Sequence, residues 1–223
     1  MTRAQGVLSG GAVAICGASA ALAISAVLPR EKEGDRFTLM VVVTVTVMST
    51  VAMVLYPLLA KALDLPHAIA GLFLGGTIHD VAQVVGAAYM LGPETGDVAI
   101  VVKLFRVSLL ALVVVAVASA FRKSGDHPSG HRPARQALVP WFLWVFVAMV
   151  MLGSVGALPP ALVAGLNWAS RGCLVIAIAA LGMKTSFAQL ARAGWRPLAL
   201  ILIETLWLAV LVLGLALAAR AHS

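Results

Sequence analysis

The sequence predicts an all-α integral membrane protein with about seven transmembrane segments. Hydrophobic residues make up 61% of the 223 residues and charged residues only 11%, whereas about a quarter of an ordinary soluble domain is charged. The mean hydropathy is +1.02. Apolar runs of about 20 residues, the length of a membrane span, recur between short polar stretches. We therefore expect one multi-pass membrane domain, 1–223, embedded in a lipid bilayer, and not a water-soluble globule.

The apolar runs and their polar connections define the segments. The longest connection is hydrophilic, covers 122–139 and separates the first four segments from the rest. Pro159 and Pro160 divide the next apolar run in two, because proline breaks a helix. The stretch 184–196 alternates apolar and basic residues, which is typical of an interfacial helix. The predicted spans are 7–28, 37–60, 67–91, 98–121, 140–158, 161–181 and 197–219.

Charge and cysteine content exclude several function classes. The net charge is +7, but the chain has neither interleaved aromatic residues nor a nucleic-acid-binding motif, so we expect no nucleic-acid partner. Cys16 and Cys173 both lie in apolar runs far apart in sequence, which favours neither a disulfide framework nor a zinc site. No metal or other cofactor is predicted.

The distribution of basic residues predicts the orientation. If all seven segments cross, the side of the N-terminus carries nine Lys and Arg residues and the other side carries four. The positive-inside rule then places the N-terminus and the 122–139 connection in the cytoplasm. A re-entrant glycine-rich segment, either 7–28 or 67–91, would reverse the orientation downstream.

The third segment concentrates polar residues that are costly in a membrane. On a continuous helix Gly76, His79, Asp80, Gln83 and Ala87 would share about one third of the circumference. An Asp at the centre of a span costs about 3 kcal/mol on the insertion scale, so it usually faces the protein interior and pairs with a base. These residues predict a buried polar site.

The fourth segment supplies two bases for this site. Lys103 and Arg106 are one helical turn apart and share a face. Pairing with Asp80 would leave one positive charge, which suits an anionic substrate, since guanidinium groups bind oxyanions in a bidentate fork. An alternative is that Lys103 extends its ammonium group to the membrane boundary. Farther on, Glu204 interrupts the last span and is expected to have an internal partner such as Arg171.

Glycines in the first and third segments indicate either close helix packing or broken helices. A broken helix exposes N-terminal amides that bind anions, whereas small residues alone allow close packing. We expect backbone amides and hydroxyl groups here to bind the substrate, and His79 or Asp80 to couple transport to protons or ions. In the alternative interpretation, His79 is a packed residue that is hydrogen-bonded to a carbonyl, and Cys16 is a small residue at a helix contact. The predicted substrate-binding residues are Cys16, Gly17, Ser19, Gly75, Gly76, Thr77, Gln83, Lys103 and Arg106.

Several motifs resemble those of a known family. The block Gly71 to Ala88, which contains His-Asp-x-x-Gln, is similar to the signature of the sulfate exporter family of bacterial membrane proteins, a UPF0324-like group. The motifs Ile15-Cys16-Gly17, Lys103-Leu104-Phe105-Arg106-Val107 and Val139-Pro140-Trp141-Phe142, and a C-terminal signature over 180–198, also match. Asp80 departs from the Glu that is more usual in the family, and Val13 and Ala14 replace small hydroxyl residues.

The resemblance implies an inverted-repeat transporter with crossed broken helices, and export or exchange of sulfate or an organosulfonate. It covers only the later two thirds of a family member, so we expect the leading helices to be missing or to come from another chain, or two copies to form a homodimer. Other functions stay open: a coupled carboxylate carrier, a non-transporting fragment or helper subunit, and an intramembrane enzyme using His79 and Asp80. The first 30 residues could alternatively be a cleaved signal peptide. An enzyme is not the expectation, because no nucleophile stands beside a placed base.

The orientation can be tested at Ser129, within the most basic connection. In a variant with cysteine only at position 129, an impermeant maleimide added to intact cells should fail to label the protein, because the connection is predicted to be cytoplasmic. Labelling should become complete when the cells are permeabilised. Labelling in intact cells would show that the orientation is reversed.

Overall fold

The computed structural model describes residues 2–29, 34–122 and 195–221, together with 148–149, 151–152, 159, 161–166, 168–170, 172–173 and 176. Regular secondary structure in these ranges is entirely α-helical, which confirms the predicted fold class. We number the seven continuous helices in chain order. They are α1 (Arg3–Ala14), α2 (Ala18–Ser25), α3 (Gly34–Ala62), α4 (His67–Thr77), α5 (Val81–Tyr89), α6 (Pro93–Arg122) and α7 (Trp195–Ala221).

Three of these helices are long and apolar enough to cross a membrane. They are α3, α6 over Pro93–Phe121 and α7 over Leu198–Ala218, and they correspond to the predicted spans 37–60, 98–121 and 197–219. The segments 140–158 and 161–181 are described only at scattered positions, and 184–194 lies outside the described residues. The count of seven spans therefore stays a prediction.

The first and third predicted segments are broken helices. The segment 7–28 consists of α1 and α2, separated at Ile15–Gly17, and the segment 67–91 consists of α4 and α5, separated at Ile78–Asp80. Gly17 has φ +65°, a conformation that a residue with a side chain rarely adopts. Ile78 and Asp80 have extended backbone, with ψ of 135° and 137°. Both interpretations of the glycines apply: Gly17 lies at a break, whereas Gly71 and Gly75 lie within α4 and allow close helix packing.

Local sequence explains where the helices begin. Thr2 and Gln5 form a capping box at the start of α1, which satisfies two amides that have no partner within the helix. Asp80 accepts a hydrogen bond from the Ala82 amide at the start of α5. Pro93 is the first residue of α6, a position at which its missing N–H costs no helical hydrogen bond.

Each broken helix packs into its own apolar cluster. One cluster joins α1 and α2 to α3, α6 and α7, and includes Leu8, Ala12, Ile24, Val41, Val45, Leu110 and Ile201. The other surrounds α4 and α5 and includes Phe73, Leu74, Ile78, Val84, Ala87 and Ala99. Large apolar side chains on the opposite faces of α6 and α7, such as Phe105 and Trp207, are exposed, as a surface in contact with a bilayer requires.

Glycine allows α4 to lie directly against α6. A side chain at Gly75 would collide with the backbone carbonyl of Ala99, and one at Gly71 would come within 2.7 Å of Val98 Cβ. The close approach of these two helices brings the second break beside the polar face of α6.

Replacing Gly75 with Ala should therefore destabilise the protein by about 1–3 kcal/mol, because the added methyl group meets rigid backbone. Thermal unfolding of the purified protein in detergent measures the change. Gly10→Ala is the matched control, since nothing lies within 4 Å of its added methyl group. Equal melting temperatures for the two variants would contradict the close α4–α6 contact.

Candidate functional site

The two helix breaks lie next to each other in the interior. A Cβ atom on Gly17 in the first break would lie 3.2 Å from the His79 Cβ atom in the second, and 2.7 Å from Val45 Cγ1 on α3. Gly17 thus provides both the left-handed backbone conformation and the space that the contact needs. The candidate site is the region where these two breaks meet.

Lys103 on α6 joins the two breaks directly. Its ammonium group donates to the carbonyl oxygen of Ile15 at 2.8 Å and to that of Ile78 at 3.0 Å, which is one carbonyl from each break. The side chain is 0% exposed. The interpretation in which Lys103 extends to the membrane boundary is therefore wrong.

Arg106, one turn farther along α6, binds the ends of the same two helices. The last carbonyls of an α-helix have no partner within the helix and carry its negative dipole end. The Arg106 guanidinium donates to the final carbonyls of α1 and, on its other side, to carbonyls near the end of α4. The acceptors are Val13 and Ala14 at 2.8–3.1 Å, and Gly75 and Gly76 at 3.3 and 2.7 Å.

The expected direct pairing of Asp80 with these cations is not formed. Among the described residues no ion pair within 4.0 Å joins Asp80 to Lys103 or Arg106; instead Asp80 Oδ1 accepts from the Ala82 amide at 2.8 Å. The expectation assumed a continuous helix from 67 to 91. Because α4 ends at Thr77, its free carbonyls take the cations, and Asp80 becomes the N-cap of α5.

Hydroxyl groups on α3 and α7 hold the second break, and the sequence analysis did not identify them. Ser49 Oγ accepts hydrogen bonds from the backbone amides of His79 and Asp80, each at 3.2 Å. Thr205 Oγ1 lies 3.2 Å from His79 Nε2. The only signal in the sequence was the presence of isolated hydroxyl residues within apolar spans.

Gln83 lies on the first turn of α5, facing α3. Its Nε2 donates to Thr50 Oγ1 at 3.1 Å. Within the described ranges, its Oε1 and Thr44 Oγ1 are buried without a hydrogen-bond partner. A buried polar atom without a partner costs about 1–3 kcal/mol, so these atoms are candidates for contact with a bound group.

The remaining predicted site residues make local contacts. Ser19 Oγ lies 3.2 Å from Cys16 Sγ and 3.4 Å from the Cys16 carbonyl. Thr77 Oγ1 donates to the Phe73 carbonyl of its own helix at 2.6 Å. Gly17 is the N-cap of α2 and supplies no side-chain hydrogen bond to it. The positive ends of α2 and α5 thus differ, since a carboxylate caps α5 alone.

The sequence is similar to a known protein family. The model of a family described as "Conserved hypothetical protein 698" matches residues 1–201. The chain belongs to this family. The predicted resemblance to a UPF0324-like family is thereby confirmed, since the similar curated proteins carry that name.

Three relatives illustrate the similarity. A UPF0324 membrane protein of Chlorobaculum tepidum is 51% identical over 94% of this chain and 58% of its own length. The UPF0324 membrane protein TauZ of Paracoccus pantotrophus is 50% identical over 92% of this chain and 61% of its own length. A UPF0324 membrane protein of Rhizobium meliloti is 45% identical over 93% of this chain and 60% of its own length.

The chain spans about three fifths of the length of these curated relatives. No solved structure matches it significantly. The relatives' names describe membrane proteins, in agreement with the three membrane-length helices found here.

The contacts of Arg106 predict that it is essential for stability and that charge alone does not replace it. Arg106→Lys keeps the charge, but the lysine side chain cannot reach the carbonyls of both α1 and α4. The free energy of unfolding should therefore fall by about 2 kcal/mol or more. Chemical or thermal unfolding in detergent measures this loss. The same substitution at Arg3, which is exposed at the start of α1, should change stability by less than about 0.5 kcal/mol. A similar small effect at both positions would contradict the assignment.

Proposed function

We propose that this chain forms the substrate-binding centre of a membrane carrier that exports or exchanges a small oxyanion, with sulfate or an organosulfonate as the candidate substrates. The observation that carries the proposal is the meeting of two broken helices on Lys103 and Arg106. In carriers built this way, half-helix ends near the membrane midplane hold substrate and coupling ions.

The balance of charge at the breaks favours an anion. Each helix end carries roughly half an elementary charge, so the negative ends of α1 and α4 offset the positive ends of α2 and α5. The side-chain charges that remain near the breaks are two cations, Lys103 and Arg106, and one carboxylate, Asp80. About one positive charge is left in a water-poor region, where an anionic ligand would neutralise it.

The first turn of α2 is the proposed contact surface for the anion. No side chain in the described ranges caps its backbone amides, whereas Asp80 and Ser49 already satisfy the start of α5. Gly17 permits close approach to the backbone, and the Ser19 hydroxyl lies on the same turn. Thr77 and the carbonyls of Gly75 and Gly76 shape the opposite side of the site and would not bind an anion directly in this conformation.

Lys103 and Arg106 have two proposed roles. With their hydrogen bonds directed to carbonyls, they attract the anion by charge and keep the breaks together. During transport, movement of one broken helix would release donors from its carbonyls and make them available to the substrate. We further propose that His79 and Asp80, between the two clusters, respond to the coupling ion.

The proposal includes where the carrier is located and how it is completed. We place it in the bacterial inner membrane as a multi-pass protein, and further helices or a second copy of the chain would complete the carrier.

A carrier is favoured over an enzyme because the side-chain hydrogen bonds of Cys16 and His79 are to the hydroxyl groups of Ser19 and Thr205, which are not bases. A non-transporting subunit would bind no substrate, so binding distinguishes it.

Binding of radiolabelled sulfate and of a short alkyl sulfonate to the purified protein tests the proposal. Lys103→Gln should weaken saturable binding about tenfold or more, which corresponds to a loss of about 1.4 kcal/mol. Lys61→Gln is the matched control, because Lys61 is exposed at the end of α3. Asp80→Asn keeps a capping side chain and removes the negative charge, so binding should be equal or tighter.

The control outcomes separate the alternatives. Equal weakening by Lys103→Gln and Lys61→Gln would indicate attraction by overall charge and contradict a site at the breaks. Saturable binding of acetate, with no saturable binding of sulfate or of the sulfonate, would favour a carboxylate carrier. Absence of any saturable anion binding in a folded protein would overturn the proposal.

A further inference from the structure

Glu204 is an acidic residue in the membrane-length part of α7, Leu198–Ala218, and the proposed site does not use it. Its Oε1 atom lies 3.0 Å from Ser9 Oγ on α1. Its Oε2 atom is buried and has no hydrogen-bond partner among the described residues. A carboxylate in this setting is costly when ionised.

The hydrogen bonds of Ser9 indicate which form of Glu204 fits. The Ser9 hydroxyl is fully buried and lies 3.3 Å from the Gly6 carbonyl as well as 3.0 Å from Glu204 Oε1. It has a single hydrogen to donate. In the structure Ser9 Oγ donates to Glu204 Oε1, a bond that both forms of the carboxyl group can accept. The protonated form can also donate to Ser9 and leave the Ser9 hydrogen for Gly6. In the ionised form the two acceptors compete for one hydrogen, and Oε2 shares the negative charge without a partner among the described residues.

No nearby charge compensates an ionised Glu204 in the part of the chain that the structure describes, and Arg171, the partner predicted from the sequence, lies outside the described residues. The helix α7 packs against α1, α3 and α4, and none of their charged groups lies within 4.0 Å of the carboxyl group. Most of the titratable groups on these elements lie near helix ends, apart from Tyr56 within α3 and His79 at the second break. They are Arg3 on α1, Asp35, Arg36, Tyr56 and Lys61 on α3, His67 on α4, and His79.

Glu204 connects elements that belong to both breaks. Ser9 lies on α1 five residues before Ala14, whose carbonyl binds Arg106. The residue after Glu204, Thr205, contacts His79 in the second break. The bond between Ser9 and Glu204 therefore holds α1 to the same part of α7 that contacts the second break.

We propose that Glu204 is a proton-binding group of the carrier, in addition to His79 and Asp80 at the second break. The proposal rests on the proposed function. One proton enters from one side of the membrane and converts the carboxylate to the acid, which can donate a hydrogen bond to Ser9. Release of that proton to the other side regenerates the carboxylate, which accepts the Ser9 hydrogen instead, so that the hydrogen bond between α1 and α7 reverses its direction.

A chemical test does not require transport. Dicyclohexylcarbodiimide modifies protonated carboxyl groups in apolar surroundings, and mass spectrometry locates the adduct. At pH 7 in membranes, the peptide containing Glu204 should be modified at least about tenfold more than the exposed Glu94, and raising the pH should reduce the modification. Modification of Glu204 no greater than that of Glu94 would overturn the proposal, whatever the transport result.

A transport test uses proteoliposomes with an imposed pH gradient. Wild-type protein should accumulate labelled oxyanion against its concentration gradient. Glu204→Gln should lose this pH-driven accumulation at least about tenfold and keep exchange of labelled for unlabelled oxyanion, whereas Glu94→Gln should keep both. Retained pH-driven accumulation in Glu204→Gln would refute proton binding at this residue and leave the carrier function standing.

Ser9→Ala distinguishes proton binding from a purely structural bond. The variant removes the hydroxyl and keeps the carboxyl group, so pH-driven accumulation should persist with a shifted pH profile. If Ser9→Ala and Glu204→Gln lose accumulation and exchange alike, the contact is structural and the proposal fails.

Discussion

Two sets of free helix carbonyls in the membrane interior are the constraint on which the site depends. Backbone polar groups in the bilayer need partners within the protein, and the ends of α1 and α4 leave carbonyls that their own helices cannot satisfy. Lys103 and Arg106 bind carbonyls from both ends. One face of α6 thereby supplies hydrogen-bond donors, compensates two negative dipole ends and fixes the distance between the breaks.

The other features of the site follow from this arrangement. Gly75 lets α4 approach α6 closely enough for Arg106 to reach it, and Gly17 accepts both the strained backbone and the contact with His79. Ser49 and Asp80 satisfy the start of α5, while α2 keeps an uncapped positive end. The resulting asymmetry motivates the proposal of an anion near α2, and the hydrogen bond from Ser9 to Glu204 gives α1 a second attachment, to α7.

Sequence reasoning identified the elements and the important cations but not their partners. Apolar length predicted α3, α6 and α7, because a span of about 20 residues leaves a clear pattern. The clustering of glycines with His79 and Asp80 indicated the breaks. Backbone carbonyls have no signature in a sequence, so the acceptors of Lys103 and Arg106 could not be foreseen. The direct ion pair with Asp80, drawn on a continuous helix, is not formed among the described residues; a shared charge-compensated site stays a prediction. The hydroxyls of Ser49 and Thr205 were missed because single hydroxyl residues occur in many spans.

The joining of both breaks by Lys103 can be measured directly. Solid-state nuclear magnetic resonance on protein in lipid, with ¹⁵N at lysine Nζ and ¹³C at isoleucine carbonyls, reports the distances between these atoms. Two couplings corresponding to about 4 Å or less are expected, given a carbonyl bond of about 1.2 Å; Ile15→Val should remove one and Ile78→Val the other. If either variant left the spectrum unchanged, Lys103 would not join the two breaks, and the account of the site would be contradicted.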